Sequence, residues 1–356
     1  MRALFLGKRH PQQRDLLTRP YGRFHYLPTE LAKRGHEVHV ALVSHRRLGS
    51  EALQREGVSW YSDDLLDAGL PAFWRRASLL CAQHRFDWII GCSDLYYGMA
   101  AVRLAGKFGA RAAIDAYDNF ESYMPWAAPL HWLWRHALAK ADLVTAAGPQ
   151  LAELLQRHHR HEVAVIPMAA DPQFVPGDKK TARERLQLPL DAPLLGHCGS
   201  FSATRGSQIL IDAFAATRAQ LPELRLVMTG RYPRELQQIP GVLGLGHVAD
   251  ELMPCVLNSL DVVAVLLADT TFGRYSYPAK LYEAMACAIP LVASATAPAR
   301  WILDDDATHL ARLDDANDLS AKILDQIERP RSGYRPPSPW TASAQRFESL
   351  LAARLA

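Results

Sequence analysis

The chain has 356 residues, 22% of them charged, with a formal net charge of +3. That length is enough for two domains with substantial cores. The mild basic balance, without zinc-finger spacing or an aromatic RNA-binding signature, gives no reason to expect a nucleic-acid partner.

Five widely spaced cysteines (Cys81, Cys92, Cys198, Cys255, Cys287) contain no Cys-x-x-Cys and read as buried reduced thiols. The first apolar run, Ala3-Leu4-Phe5-Leu6, is too short for a signal-peptide core. No segment approaches a membrane span, so the expected compartment is the cytoplasm.

Apolar runs alternate with helix-period segments throughout, the pattern of a doubly wound parallel sheet. In the first half, strands are expected near 2–6, 37–43, 87–91, 111–115, 142–146 and 163–166. Helices near 24–34, 96–108, 129–140 and 149–159 separate most of them. A polar linker, Pro172 to Ala192, leads to strands near 194–198, 224–229, 242–245, 261–267, 291–294 and 309–311. Their helices fall near 206–219, 250–257, 279–287 and 315–328. The Pro-rich stretch from Pro330 to Pro339 reads as a crossover returning a last helix, near 341–355, to the first domain. The expected fold class is α/β: two Rossmann-like domains, 1–171 with 340–356, and 172–339, facing across a cleft. Ligands are expected at strand carboxyl ends.

The segment Tyr275 to Ser294 carries the most chemistry. An unbroken apolar run, Val262 to Leu267, reads as a strand buried on both faces. Pro278 follows at a position suited to a first helical turn, and the helix should stop before Pro290. Lys280 and Glu283, three apart, share a face near the helix start, where free N–H groups favour an anion. A cation beside a carboxylate that accepts from a sugar diol describes a nucleoside diphosphate site, with Ser276 and Leu281 in the same set. A second element is Gly199-Ser200-Phe201-Ser202-Ala203-Thr204-Arg205-Gly206, where a strand ends in a polar loop. Gly199 admits close backbone approach to phosphate, and Arg205 offers a bidentate clamp. Arg231, after Gly230, ends another strand and borders the expected base site.

These residues resemble the GT-B glycosyltransferases of the group 1/family 4 superfamily. Their usual Pro-x-x-x-x-Glu-Ala-Met-Ala-x-Gly-x-Pro-Val-Val corresponds here to Pro278, Glu283-Ala284-Met285-Ala286, Pro290 and Leu291-Val292. Ala288 stands at the usual glycine. Leu31 to Val38, Val165 to Asp171 with Phe174, and Leu226 to Gly230 resemble further family segments in order. The resemblance implies a nucleotide-sugar donor, UDP- or GDP-linked, and no bound metal or other cofactor. Ser200 stands where an arginine is usual and Arg205 where a lysine is usual. Retaining members carry Glu-x7-Glu, but eight residues before Glu283 lies Tyr275. The Pro-x-Lys-x-x-Glu arrangement instead resembles inverting relatives such as the xanthan glucuronosyltransferase.

An inverting transfer needs a base for the acceptor hydroxyl. In Asp115-Ala116-Tyr117-Asp118-Asn119-Phe120-Glu121 a strand ends among three carboxylates; Asp118 is the expected base, with Asp115 orienting it or capping the loop. The acceptor, a glycan or a lipid-linked sugar, is expected near Gly7-Lys8-Arg9 and Gly22-Arg23, whose cations suit a phosphate. Phe73-Trp74-Arg75-Arg76, Trp126 and His131 to His136 pair aromatics with basic side chains and suit a peripheral, anionic membrane surface. His158-His159-Arg160-His161 reads as a solvated helix tip. Two other readings of the same fold remain: a UDP-sugar 2-epimerase, and a non-catalytic nucleotide-sugar-binding partner protein.

Overall fold

The computed structural model describes residues 1–11, 14–202 and 206–355. The chain divides into two units, Met1–Ala169 with Ser338–Ala356, and Ala170–Pro337. Each boundary lies two residues from the expected one.

The first unit runs β1 (Arg2–Lys8), α1 (Arg23–Lys33), β2 (Glu37–Ser44), β3 (Glu51–Arg55), β4 (Val58–Asp64), α2 (Gly69–His84) and β5 (Trp88–Cys92). It continues with α3 (Leu95–Phe108), β6 (Arg111–Ala116), a 3-10 turn (Phe120–Tyr123), α4 (Ala128–Lys140), β7 (Leu143–Ala146), α5 (Pro149–Gln156) and β8 (Ala164–Val165). The second unit holds α6 (Lys179–Leu186), β9 (Leu194–Cys198), α7 (Ser207–Gln220), β10 (Arg225–Thr229), β11 (Val242–Gly246), α8 (Met253–Asn258) and β12 (Val262–Val265). After it come α9 (Ala279–Ala286), β13 (Leu291–Ser294), α10 (Ala297–Ile302), β14 (Leu310–Ala311) and α11 (Ala316–Glu328), and then α12 (Trp340–Ala353), which belongs to the first unit.

The first sheet has the order β3-β4-β2-β1-β5-β6-β7-β8. All its pairs are parallel except β3 with β4. Both faces are covered by helices, so its strands read as apolar runs rather than alternations. One face packs Phe5, Trp60 and Trp88 against Leu27, Leu31 and Phe347; the other packs Leu4, Leu6 and Ile89 against Phe73, Tyr97 and Leu104. The return of α12 has a packing cause. Phe347 is fully buried beside Phe5, and Trp340 stacks on Tyr26 of α1 with ring centroids 5.6 Å apart. Burying one such aromatic contributes roughly 1.5–3 kcal/mol.

Two elements of this unit were not expected. The β3–β4 hairpin turns at Glu56 and Gly57, with φ of 51° and 76°, the left-handed pair of a tight two-residue turn. Its edge strand carries Glu51, Gln54 and Arg55, a polar composition that hides the strand period and protects the edge. Helix α2 follows it, with Phe73 and Ala77 in the core.

The second sheet is all parallel, in the order β11-β10-β9-β12-β13-β14. The expected linker is not featureless. It contains α6, capped by Asp178, which accepts from the Thr181 N–H at 2.8 Å. Arg183 is buried from that helix, reaching Asp261 at 2.5 Å and the Ser259 carbonyl at 2.9 Å. Helix α9 ends before Pro290, and Ala288 adopts φ 53°, the left-handed position where the resembled family places glycine.

Candidate active site

In the second sheet the chain leaves β9 towards β10 on one side and returns with β12 on the other. This is the switch point at which open α/β sheets bind ligands. A pocket lies there, lined by Cys198, Gly199, Ser200, Val265, Pro278 and Lys280. Gly199, at φ +138°, turns the chain out of β9 in a conformation that L side chains rarely adopt. Beside it, a Cβ on Gly230 (φ +84°) would sit 2.7 Å from the Gly199 carbonyl oxygen, so two glycines let these strand ends approach. The Phe201 N–H donates to the Arg231 carbonyl at 2.8 Å and ties the two loops. Ser200 and Arg231 are exposed. Arg205, the expected phosphate clamp, lies outside the described residues.

Helix α9 begins at this pocket, after Pro278 at its N-cap. The N–H groups of Ala279 and Lys280 have no backbone acceptor among the described residues, as expected of a first turn. The Leu281 N–H donates to the Pro278 carbonyl at 3.0 Å, and its side chain lies in the core. Ser276 is buried beside the helix start. Lys280 Nζ lies 2.6 Å from Glu283 Oε2, and Glu283 is fully buried. Glu283, expected to accept from a sugar diol, is ion-paired through Oε2 with Lys280. His197, also lining this pocket, went unnoticed in the sequence because it lies inside the apolar run of β9. Burial pushes the neighbouring Cys198 thiol up to about 11, so it is neutral at physiological pH.

In the first unit the corresponding switch lies between β1 and β5. Gly7 packs there against Cys92 and Ser93, and the Lys8 N–H donates to Ser93 Oγ at 2.8 Å. Lys8 is half-buried, and its ammonium makes no ion pair among the described residues. The flanking cations differ. Arg9 is buried and paired with Asp15 (two contacts of 2.9 Å) and Glu51 (2.8 Å), so it is not an open phosphate ligand. Gly22, at φ 66°, is the N-cap of α1. Arg23 follows it and is also corrected: it is buried, with Nε and Nη2 on Asp115 at 2.6 and 2.5 Å and Nη1 on the Ile166 carbonyl at 2.6 Å. Thr145 donates to the same carboxylate at 2.5 Å. Asp115 thus holds Arg23, rather than orienting Asp118.

Asp118 follows β6 and is 7% exposed. Its Oδ2 accepts from the Tyr123 hydroxyl at 2.7 Å. Loss of hydration, then the Asp118 charge, pushes the Tyr123 hydroxyl well above its usual range and keeps it a donor. A further acid went unread in the sequence. Asp94, after β5, caps α3 by accepting the Leu95 N–H at 2.8 Å; burial raises its pKa, opposed by that bond and by Lys8 and His45. A Ser-Asp pair between strand and helix was its visible signal. Of the histidine run, His159 is not solvated: it is buried, with Nδ1 bonded to the Leu138 carbonyl at 2.8 Å.

Residues 23–174 match the model of Glycosyltransferase Family 4, and residues 192–329 match that of Glycosyl transferases group 1. The chain belongs to the GT-B glycosyltransferase superfamily. Among GT-B glycosyltransferases of known structure, sucrose-phosphate synthase from Thermosynechococcus elongatus superposes with a TM-score of 0.74 at 18% identity, covering 99% of this chain and 97% of that one. Anabaena HepE in complex with UDP-glucose superposes at 0.71 with 17% identity, covering 100% and 98%. At such identities the likeness is one of fold. The D-inositol 3-phosphate glycosyltransferase of Stackebrandtia nassauensis is 32% identical over 221 residues, 54% of this chain and 49% of that protein. That of Geodermatophilus obscurus is 29% identical over 190 residues, 47% and 41%. The chain spans about half the length of these curated relatives, or less.

Proposed function

We propose that this protein is a transferase of EC class 2.4. It moves a glycosyl group from a nucleoside-diphosphate sugar to a hydroxyl of a glycan or lipid-linked acceptor, in surface polysaccharide or glycolipid assembly. The observation that carries the reading is the pocket at the β9/β12 switch, where Gly199 and the start of α9 with Lys280 surround one space. Backbone N–H groups, helix dipole and ammonium together suit a diphosphate. The acceptor oxygen attacks the anomeric carbon as the bond to the diphosphate breaks. The diphosphate leaves with the electron pair, and Asp118 takes the hydroxyl proton. Tyr275 in place of the retaining family's first glutamate favours inversion. The positive groups around α9 favour transfer without a bound metal.

The UDP complexes of the fold neighbours make UDP the first donor to test, ahead of GDP. The relatives named for an inositol phosphate support a phosphate-bearing acceptor, for which Lys8 is the available cation. UDP at a hundredfold over its Kd is expected to add about 2.7 kcal/mol of stability in EDTA. Lys280→Ala is expected to weaken UDP binding about tenfold to a hundredfold, the loss of a charge-assisted hydrogen bond. Calorimetry on folded protein checks both, and equal affinity in the variant removes Lys280 from the site. Consumption of nucleotide sugar only when acceptor is present separates transfer from 2-epimerisation.

Membrane contact rests on a reduced set of aromatics. Phe73 and Trp134 are core residues, and Trp74 lies under Arg103. Trp126, just before α4, and Trp132 and Leu133 on that helix remain 80%, 64% and 47% exposed. No helix among the described residues is long and apolar enough to cross a membrane. The reading is peripheral docking on the inner face of the cell membrane. Flotation with anionic liposomes at low salt should carry the wild type upward and leave a Trp126→Ala/Trp132→Ala variant at the bottom. A wild type that stays down excludes it.

A further inference from the structure

Strand β2 opens with Glu37 and His39, two residues apart and therefore on one face of the strand. The last residue of α2, His84, arrives on the same face, and its ring centroid lies 4.1 Å from that of His39. Both imidazoles address one oxygen. His84 Nδ1 is 2.7 Å and His39 Nε2 3.1 Å from Glu37 Oε1, and the three atoms lie within 4.8 Å of one another. Ligand atoms held at ~2.0–2.1 Å around a tetrahedral ion stand about 3.3 Å apart. The two nitrogen–oxygen separations, 2.7 and 3.1 Å, need only a small spreading to reach that distance.

A cation binding here displaces the protons that hydrogen-bond the two ring nitrogens to Glu37. Arg2, beside the cluster, is already engaged: it binds the His84 carbonyl at 2.8 Å and lies 3.9 Å from Asp87. The His39 side chain is deep, at 6% exposure, while Glu37 and His84 are open at 45% and 31%, which leaves one side for entry and for a water ligand. Two imidazoles with one carboxylate is a donor set that suits zinc.

We propose that Glu37, His39 and His84 form a divalent transition-metal site of zinc type that fastens the end of α2 to the start of β2. The site lies at the amino end of β2, whereas the pocket and acids above lie at strand carboxyl ends. It is a structural clamp outside the transfer chemistry.

The test uses tag-free, full-length protein stripped with EDTA and then given Zn2+ alone. Equilibrium dialysis with metal analysis should find one tightly held equivalent and a raised melting temperature. Glu37→Gln and His84→Gln should each weaken binding by at least the roughly tenfold that losing even an outer-shell partner costs. Substitution with Co2+ gives a readout that needs no variant: strong visible bands of low-coordinate, nitrogen-ligated cobalt are expected. A cobalt spectrum that stays that of the hydrated ion, absence of saturable zinc binding, or binding unchanged in both variants overturns the proposal.

Discussion

Asp118→Asn is expected to lower the transfer rate by about 10²–10⁴-fold, the range that a positioned general base contributes. The substitution keeps shape and hydrogen-bonding capacity, and the Tyr123 hydroxyl still has an oxygen to donate to. What it removes is the lone-pair basicity that takes the acceptor proton. UDP affinity should be unchanged, because Lys280 and the start of α9 lie in the other unit. The expected pattern is a loss in kcat with donor Kd preserved, the signature of an interaction made only in the transition state. Single-turnover rates with labelled donor, beside calorimetric UDP binding, read the two separately. A rate within about threefold of wild type would mean that another acid takes the proton, and Asp94 would then be the next residue to change.

The second large effect is on stability. Asp115→Ala should destabilise the first unit by about 3–5 kcal/mol, the cost of leaving a buried charge without its partner. Arg23 is buried, with every contact to Asp115 and the Ile166 carbonyl formed inside the unit. Removing the carboxylate also strands the Thr145 hydroxyl. Replacing both ends, Arg23→Met with Asp115→Leu, should cost much less, since no charge is then left in a low-dielectric site. Urea unfolding of the two variants gives the comparison. If the single variant loses under 1 kcal/mol, the pair is not the clamp that its geometry indicates. The same geometry explains why Arg23 is unavailable to an acceptor phosphate.

Most strands were legible in the sequence because these sheets are covered on both faces. Runs such as Val38 to Val43 and Val262 to Leu267 must be apolar at nearly every position, and they stand out against polar turns. The β3–β4 hairpin was missed for the opposite reason: at a sheet edge, Glu51 to Arg55 satisfies pairing on one side and solvent on the other. Helix α6 was lost in a polar linker because six of its eight residues are charged or hydroxylated (Lys179, Lys180, Thr181, Arg183, Glu184, Arg185), so no apolar stripe marks it. The order of motifs from Gly199 to Pro290 was visible because glycine, proline and a helix-start lysine mark backbone requirements that do not depend on distant residues.

What the linear chain determined by itself was therefore local: strand cores, helix starts, and the turn from β9 into the donor loop. Only tertiary structure decided which charges remain available to a ligand. Arg9 and Arg23 look equivalent to Lys8 or Arg231 as letters, yet the first two are held in ion pairs. Partners such as Asp115, 92 residues from Arg23 along the chain, are brought near only by sheet order. The Arg23–Asp115 pair forms where two elements distant in sequence converge, and no local pattern encodes that convergence.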